Sequence, residues 1–144
     1  MTEVAFHFNA PDKLGYACRL LRKAYLKGAS VVVLTDEGSV KALDAALWTM
    51  AQGEFIPHCH PGDPAHVRAR SPIHIGSHVP EAVNAGVLVN LCTGMPAHFD
   101  QFARVIEVVT LGGDDRLHAR ERWRQYKALG IEPQRHDLQL ATGD

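Results

Sequence analysis

The chain has 144 residues, enough for one domain with a real core and too few for two. With 46% hydrophobic and 22% charged residues it reads as an ordinary globular protein, and a net charge of −1 argues against one that coats nucleic acid. Cys18, Cys59 and Cys92 are widely separated, with no C-x-x-C pair and no signal peptide ahead of them. Reduced thiols in a cytosolic protein are expected, and the strand-sized apolar runs predict no membrane span.

The first strand is expected at residues 4–8, stopped by Asn9-Ala10-Pro11. Over residues 12–27, Leu14, Ala17, Cys18, Leu21, Ala24 and Tyr25 share one helical face, and Gly28 closes the helix. SVVVLT at 30–35 is a continuous β-branched run, the pattern of a strand buried on both faces. A helix at 37–50 follows, with Val40, Leu43, Leu47 and Met50 as its core stripe. Residues 51–71, rich in Gly, Pro and His, read as one long connection.

Strands are expected at 72–76 and 86–91, a short helix at 96–102, and a strand at Arg104–Thr110. A long helix over 114–130 comes next, stopped by Pro133, after which the chain reads as a tail. Strands alternating with helices predict a single α/β domain: a three-layer sandwich on a mostly parallel sheet, Rossmann-like in element order.

That order invites a nucleotide site, but the first strand-to-helix turn is NAPDKLG, with no glycine-rich fingerprint. Gly112-Gly113 precedes a helix but is followed by Asp114 and Asp115, which read as an N-cap and a first-turn acid rather than a phosphate cradle. His58, Cys59, His60, His66, His74 and His78 offer zinc chemistry, yet their spacing is poor for it, and an exposed His-rich loop is the expectation. There is no G-x-S-x-G elbow, and Cys92 reads as the end of a buried strand. No catalytic residue, metal or cofactor is expected.

The most informative segment is DDRLHARERWRQYKALG. At about 100° per residue, Arg116, Arg120, Trp123, Arg124 and Lys127 fall within roughly a third of the helix circumference. Leu117, Ala119, Tyr126 and Leu129 form the candidate core side, while Glu121 and Arg122 read as ordinary surface charge. Such an arc is either a solvated face or a receptor, and the indole among the cations favours a receptor for an acidic peptide with a bulky end. Arginines beside a ring also suit single-stranded nucleic acid, the alternative reading. Trp48 lies roughly 120° from the Leu43–Leu47 stripe, so it either packs beneath the 51–71 connection or projects outward with Phe55 as a partner anchor.

At these residues the chain resembles the chi subunits of bacterial DNA polymerase III, clamp-loader accessory proteins. The likeness runs through VAFHF…YACRLLRKAYLKG, SVVVLTDE, LDAALWTMAQGEFIPH, VLVNL, P-x-x-F-x-x-F-x-R-V-I-E-V-V and R-x-x-A-R-E-R-W-R-x-Y-K-x-x-G. It implies a non-catalytic protein that binds the acidic, hydrophobic-ended C-terminus of single-stranded DNA-binding protein. By motif, Arg120, Trp123, Arg124 and Lys127 would line that site, with Arg116 and Val109 flanking it. Chi proteins often carry Tyr and Lys where this chain has Trp123 and Arg124. The resemblance also implies a surface for the psi subunit, or another partner such as a helicase, around Trp48, Phe55, Ile56 and Pro57, with DNA contacted only indirectly.

Overall fold

A computed structural model describes residues 2–49, 56–80 and 85–138. In it the alternating pattern builds one seven-stranded sheet in which every pairing is parallel. The strands are β1 (Glu3–Ala10), β2 (Val31–Leu34), β3 (His58–Cys59), β4 (Ile73–Gly76), β5 (Val87–Asn90), β6 (Arg104–Thr110) and β7 (Gln134–Asp137). Across the sheet they run β3-β4-β2-β5-β6-β1-β7. The helices are α1 (Lys13–Leu26), α2 (Glu37–Thr49), α3 (Ala65–Arg70) and α4 (Gly113–Ala128).

Local chemistry sets these boundaries. Asp12, in extended backbone, accepts a hydrogen bond from the Gly15 amide at 2.9 Å and so caps α1. A Cβ on Gly15 would sit 2.7 Å from that carboxylate, so a larger residue there would have to move the Asp12 side chain. At the other end Gly28 takes φ +80°, and the Ala29 amide closes on the Ala24 carbonyl at 3.0 Å.

Strand alternation then divides the core in two. On one face α1 and α2 bury Ala17, Leu21, Leu43 and Leu47 against Val31, Val33, Ile73 and Ile75. On the other, α4 buries Ala119 and Tyr126 against Val4, Phe6, Val105 and Val109. The result is the expected three-layer arrangement, and β2 is buried at all four positions, as its uninterrupted apolar run requires.

Three expectations need correction. The 51–71 connection contains β3 and α3, whose two and six residues are too short for periodicity to register; Met50 and residues 51–55 lie outside the described residues. The helix expected at 96–102 is reduced to a 3-10 turn at Phe99–Gln101, because His98 sits in the left-handed region at φ 60° and breaks any longer helix. The expected tail from 133 instead begins with β7, which pairs with β1 in register Ala5↔Gln134 to Phe8↔Asp137. Its sequence, QRHD, has no apolar face; the strand forms because β1 would otherwise leave its outer backbone groups unpaired.

A basic cleft with an aromatic floor between α4 and β7

Three turns of α4 place Arg116, Arg120 and Arg124 in a row, and Trp123 lies beside them on the side turned toward the sheet. These four residues, with Phe8 of β1 and Arg135 of β7, line a cleft of about 290 Å³. Trp123 is half-buried, its ring centroid 5.1 Å from Phe6 and 6.2 Å from Phe8. The Arg135 guanidinium carbon sits 5.0 Å from the centre of the Phe8 ring, within cation–π range. Four guanidinium groups thus surround an apolar floor, suited to carboxylates carried on a chain that also has a bulky apolar group.

The sequence-predicted residues divide around this cleft. Arg116, Arg120, Trp123 and Arg124 line it together. Lys127, a turn further on, is outside the lining, with its ammonium 3.8 Å from Glu132. Val109 is fully buried behind α4, so it supports the helix and presents nothing to a ligand. Phe8 and Arg135 escape a reading confined to one helix, because pairing of β1 with β7 is what brings them there.

The orientation of α4 depends on a residue first read as surface charge. Arg122 is 1% exposed, and its Nε donates to Glu107 at 2.9 Å while Nη1 donates to the Thr93 carbonyl at 2.8 Å. Glu107 also accepts from Asn90 at 2.9 Å and from the Tyr126 hydroxyl at 2.7 Å. Burial pushes the Glu107 carboxyl upward, and Arg122 and the two hydrogen bonds oppose that shift. Ala119, Arg122 and Tyr126 recur at helical spacing on the buried face, whereas Leu117 and Leu129, expected in the core, are exposed. With Arg122 fixed inward, its neighbours Arg120, Trp123 and Arg124 are aimed at the cleft.

The start of α4 is also tied differently from the expectation. Gly112 is the cap, and Asp115 reaches back to the Thr110 amide at 2.7 Å and hydroxyl at 2.9 Å. Lys13 of α1 donates to the same carboxylate at 3.0 Å. Burial alone would raise Asp115, but these donors outweigh it and hold the carboxyl below its ordinary range.

At the opposite edge, β3 and β4 take up His58, Cys59 and His74 of the His-rich segment, while His66 and His78 are exposed as expected. His58 and Cys59 are buried rather than exposed. His58 Nδ1 contacts the Ile56 carbonyl at 2.7 Å, and its Nε2 lies 2.9 Å from Asp44. Cys59 Sγ and His74 Nδ1 are 3.3 Å apart beside a cavity of about 980 Å³. Burial pushes the Cys59 thiol up and the His74 ring down, which favours a neutral pair rather than a thiolate nucleophile. Among the described residues no three His, Cys, Asp or Glu side chains are grouped to hold a metal. Trp48 is 56% exposed and meets the His58 ring edge-on at 5.2 Å. Ile56 is a core residue, Pro57 is half-buried, and Phe55 lies outside the described residues.

The fold defines a parallel α/β sandwich, without a glycine-rich phosphate turn after its first strand. Among solved structures, an S. cerevisiae Dbp5 variant bound to RNA and ADP BeF3 matches with a TM-score of 0.66 at 11% identity, covering 94% of this chain and 41% of that one. The C-terminal domain of the DEAD-box protein Dbp5 matches at 0.60 and 13% identity, covering 96% and 91%. At such identities the likeness concerns fold alone.

In sequence, the DNA polymerase III chi subunit of Pseudomonas aeruginosa is 32% identical over 143 residues, covering 96% of this chain and 98% of its own. The chi subunit of Escherichia coli is 25% identical over 116 residues, covering 79% and 78%. The family model described as DNA polymerase III chi subunit, HolC, matches residues 1–134. The chain belongs to the chi subunit family of DNA polymerase III, which makes it an accessory subunit of a replicative polymerase.

Proposed function

We propose that this chi subunit links the clamp loader to single-stranded DNA-binding protein during replication by holding that protein's acidic C-terminal tail in the α4–β7 cleft. The observation that carries the reading is the row Arg116, Arg120 and Arg124 beside the half-buried Trp123. Arginine forks match carboxylates bidentately, and the indole with Phe8 beneath it offers a flat contact for a terminal apolar side chain. Lys127 adds charge at the rim. Several charge-assisted hydrogen bonds, each about 1.5–3 kcal/mol, are offset by ordering a flexible tail, so micromolar affinity that weakens with salt is expected.

The test is a titration of the protein with a C-terminal peptide of the binding protein. Arg120→Ala and Arg124→Ala should each bind about tenfold more weakly while melting like wild type. Unchanged curves for both would sink the assignment. Arginines beside a ring also suit bare single strands, so a parallel titration with an oligonucleotide separates that reading: tight oligonucleotide binding with weak peptide binding would favour it.

The exposed Trp48, with Phe55 and Pro57 seven and nine positions further on, is proposed as the surface for a psi subunit or a replacement partner. Ile56, being in the core, holds that segment rather than touching the partner. Trp48→Ala should lose this partner from a pull-down while retaining the acidic peptide.

A further inference from the structure

We propose that Arg135 of β7 is a specificity-determining residue that reads one acid of the bound tail from the wall opposite α4, so that consecutive acids are read by opposite walls. The inference rests on the peptide reading of the cleft given above. One wall is the row Arg116, Arg120 and Arg124, and the other is Arg135, with Phe8 and Trp123 as the floor between them. Residues four apart on a helix rise about 6 Å. In an extended peptide, residues two apart are separated by about 6.6 Å and point to the same side. The α4 arginines therefore match every second side chain of an extended ligand, and the intervening side chain is turned toward β7.

The cation on that side is held in place. Arg135 pairs with Phe6 across β1 and β7, so its side chain emerges on the α4 face of the sheet. The guanidinium lies 5.0 Å from the Phe8 ring, and β7 is fastened to β1 by Asn9 donating to Asp137 at 2.8 Å. This second wall selects a run of adjacent acids over the same number of acids spaced only at alternate positions.

The test uses an acetylated peptide of three aspartates, leucine and a C-terminal phenylalanine with free carboxylate, and three versions with one aspartate each changed to asparagine. All four are titrated into wild type, Arg120→Ala, Arg135→Ala and Arg135→Lys, with thermal melts as the folding check. Arg135→Ala should weaken the parent peptide about five- to tenfold. One asparagine version, different from the one insensitive to Arg120→Ala, should bind Arg135→Ala no worse than the parent does, and Arg135→Lys should regain part of the loss. Arg135→Ala binding like wild type, or coupling to the same aspartate as Arg120, overturns the two-wall arrangement and leaves the proposed function standing. If Arg120→Ala is also without effect, or wild type does not bind the peptide, both readings fall.

Discussion

The two edges of the sheet handle polar side chains in opposite ways. At the β7 edge, one arginine of α4 is taken into the core, and its neighbours on the helix remain outside around a ring. At the β3 edge, two imidazoles and a thiol are taken into packing, His58 between Ile56 and Asp44 and Cys59 against His74, while His66 and His78 stay exposed. The larger cavity, about 980 Å³, belongs to the second edge, and the smaller, about 290 Å³, to the first. What separates them is arrangement rather than size. A row of like charges on a rigid helix, with an aromatic floor, is complementary to one kind of ligand, whereas a dispersed set of neutralised groups is not.

The sharpest way to break this contrast is to remove the internal arginine. Arg122→Met leaves Glu107 buried and unpaired, and should cost about 3–5 kcal/mol in urea unfolding. Adding Glu107→Leu should restore only part of that, since the buried charge is removed but Asn90 and the Tyr126 hydroxyl lose their acceptor. A loss under about 1 kcal/mol for the single variant would show that α4 is anchored by its apolar contacts alone.

Next in size is a pH effect behind the cleft. His7 of β1 is lowered to about 4 by burial, with His136 and Arg104 adding to the shift. Above pH 6.5 the ring is neutral whether folded or unfolded, and stability is intact. As pH falls from 6.5 to about 4 the unfolded chain takes up a proton that the native ring refuses, so stability drops through that window. The loss should be about 2 kcal/mol. Comparing urea midpoints at pH 7.5 and 4.5 for wild type and His7→Phe checks it: the variant should lose that part of the slope.

The tenfold peptide effects of Arg120→Ala and Arg124→Ala come third, about 1.4 kcal/mol each. They should shrink as salt is raised, and a salt-independent loss would mean a packing defect instead. Smallest is Trp48→Ala at the other edge, which should change stability by less than about 1 kcal/mol because the ring is 56% exposed.

These contrasts bear on what a sequence discloses. The repeating elements were legible because their periods are long enough to count: α1, the buried β2, and the row Arg116, Arg120, Arg124 all announced themselves. Arg122 looks like surface charge by residue type, although its spacing from Ala119 and Tyr126 puts it on the inner face. β3, α3 and β7 are too short or too polar to leave a pattern. Arg135 could not be joined to Phe8 by any local window, since the strands that carry them meet only in the folded sheet.

The bond between Asn9 and Asp137 spans 128 positions, and Asn9 adopts φ 67° at the irregularity between His7 and Ala10 where β1 bends. The first strand therefore waits for nearly the whole described chain before its outer edge is covered. During synthesis α4 emerges before β7, so a nascent chain halted at residue 130 carries the helix wall of the cleft without the strand that completes it. A chain truncated before β7 should therefore bind the proposed peptide more weakly than the full chain, by at least the loss expected of Arg135→Ala.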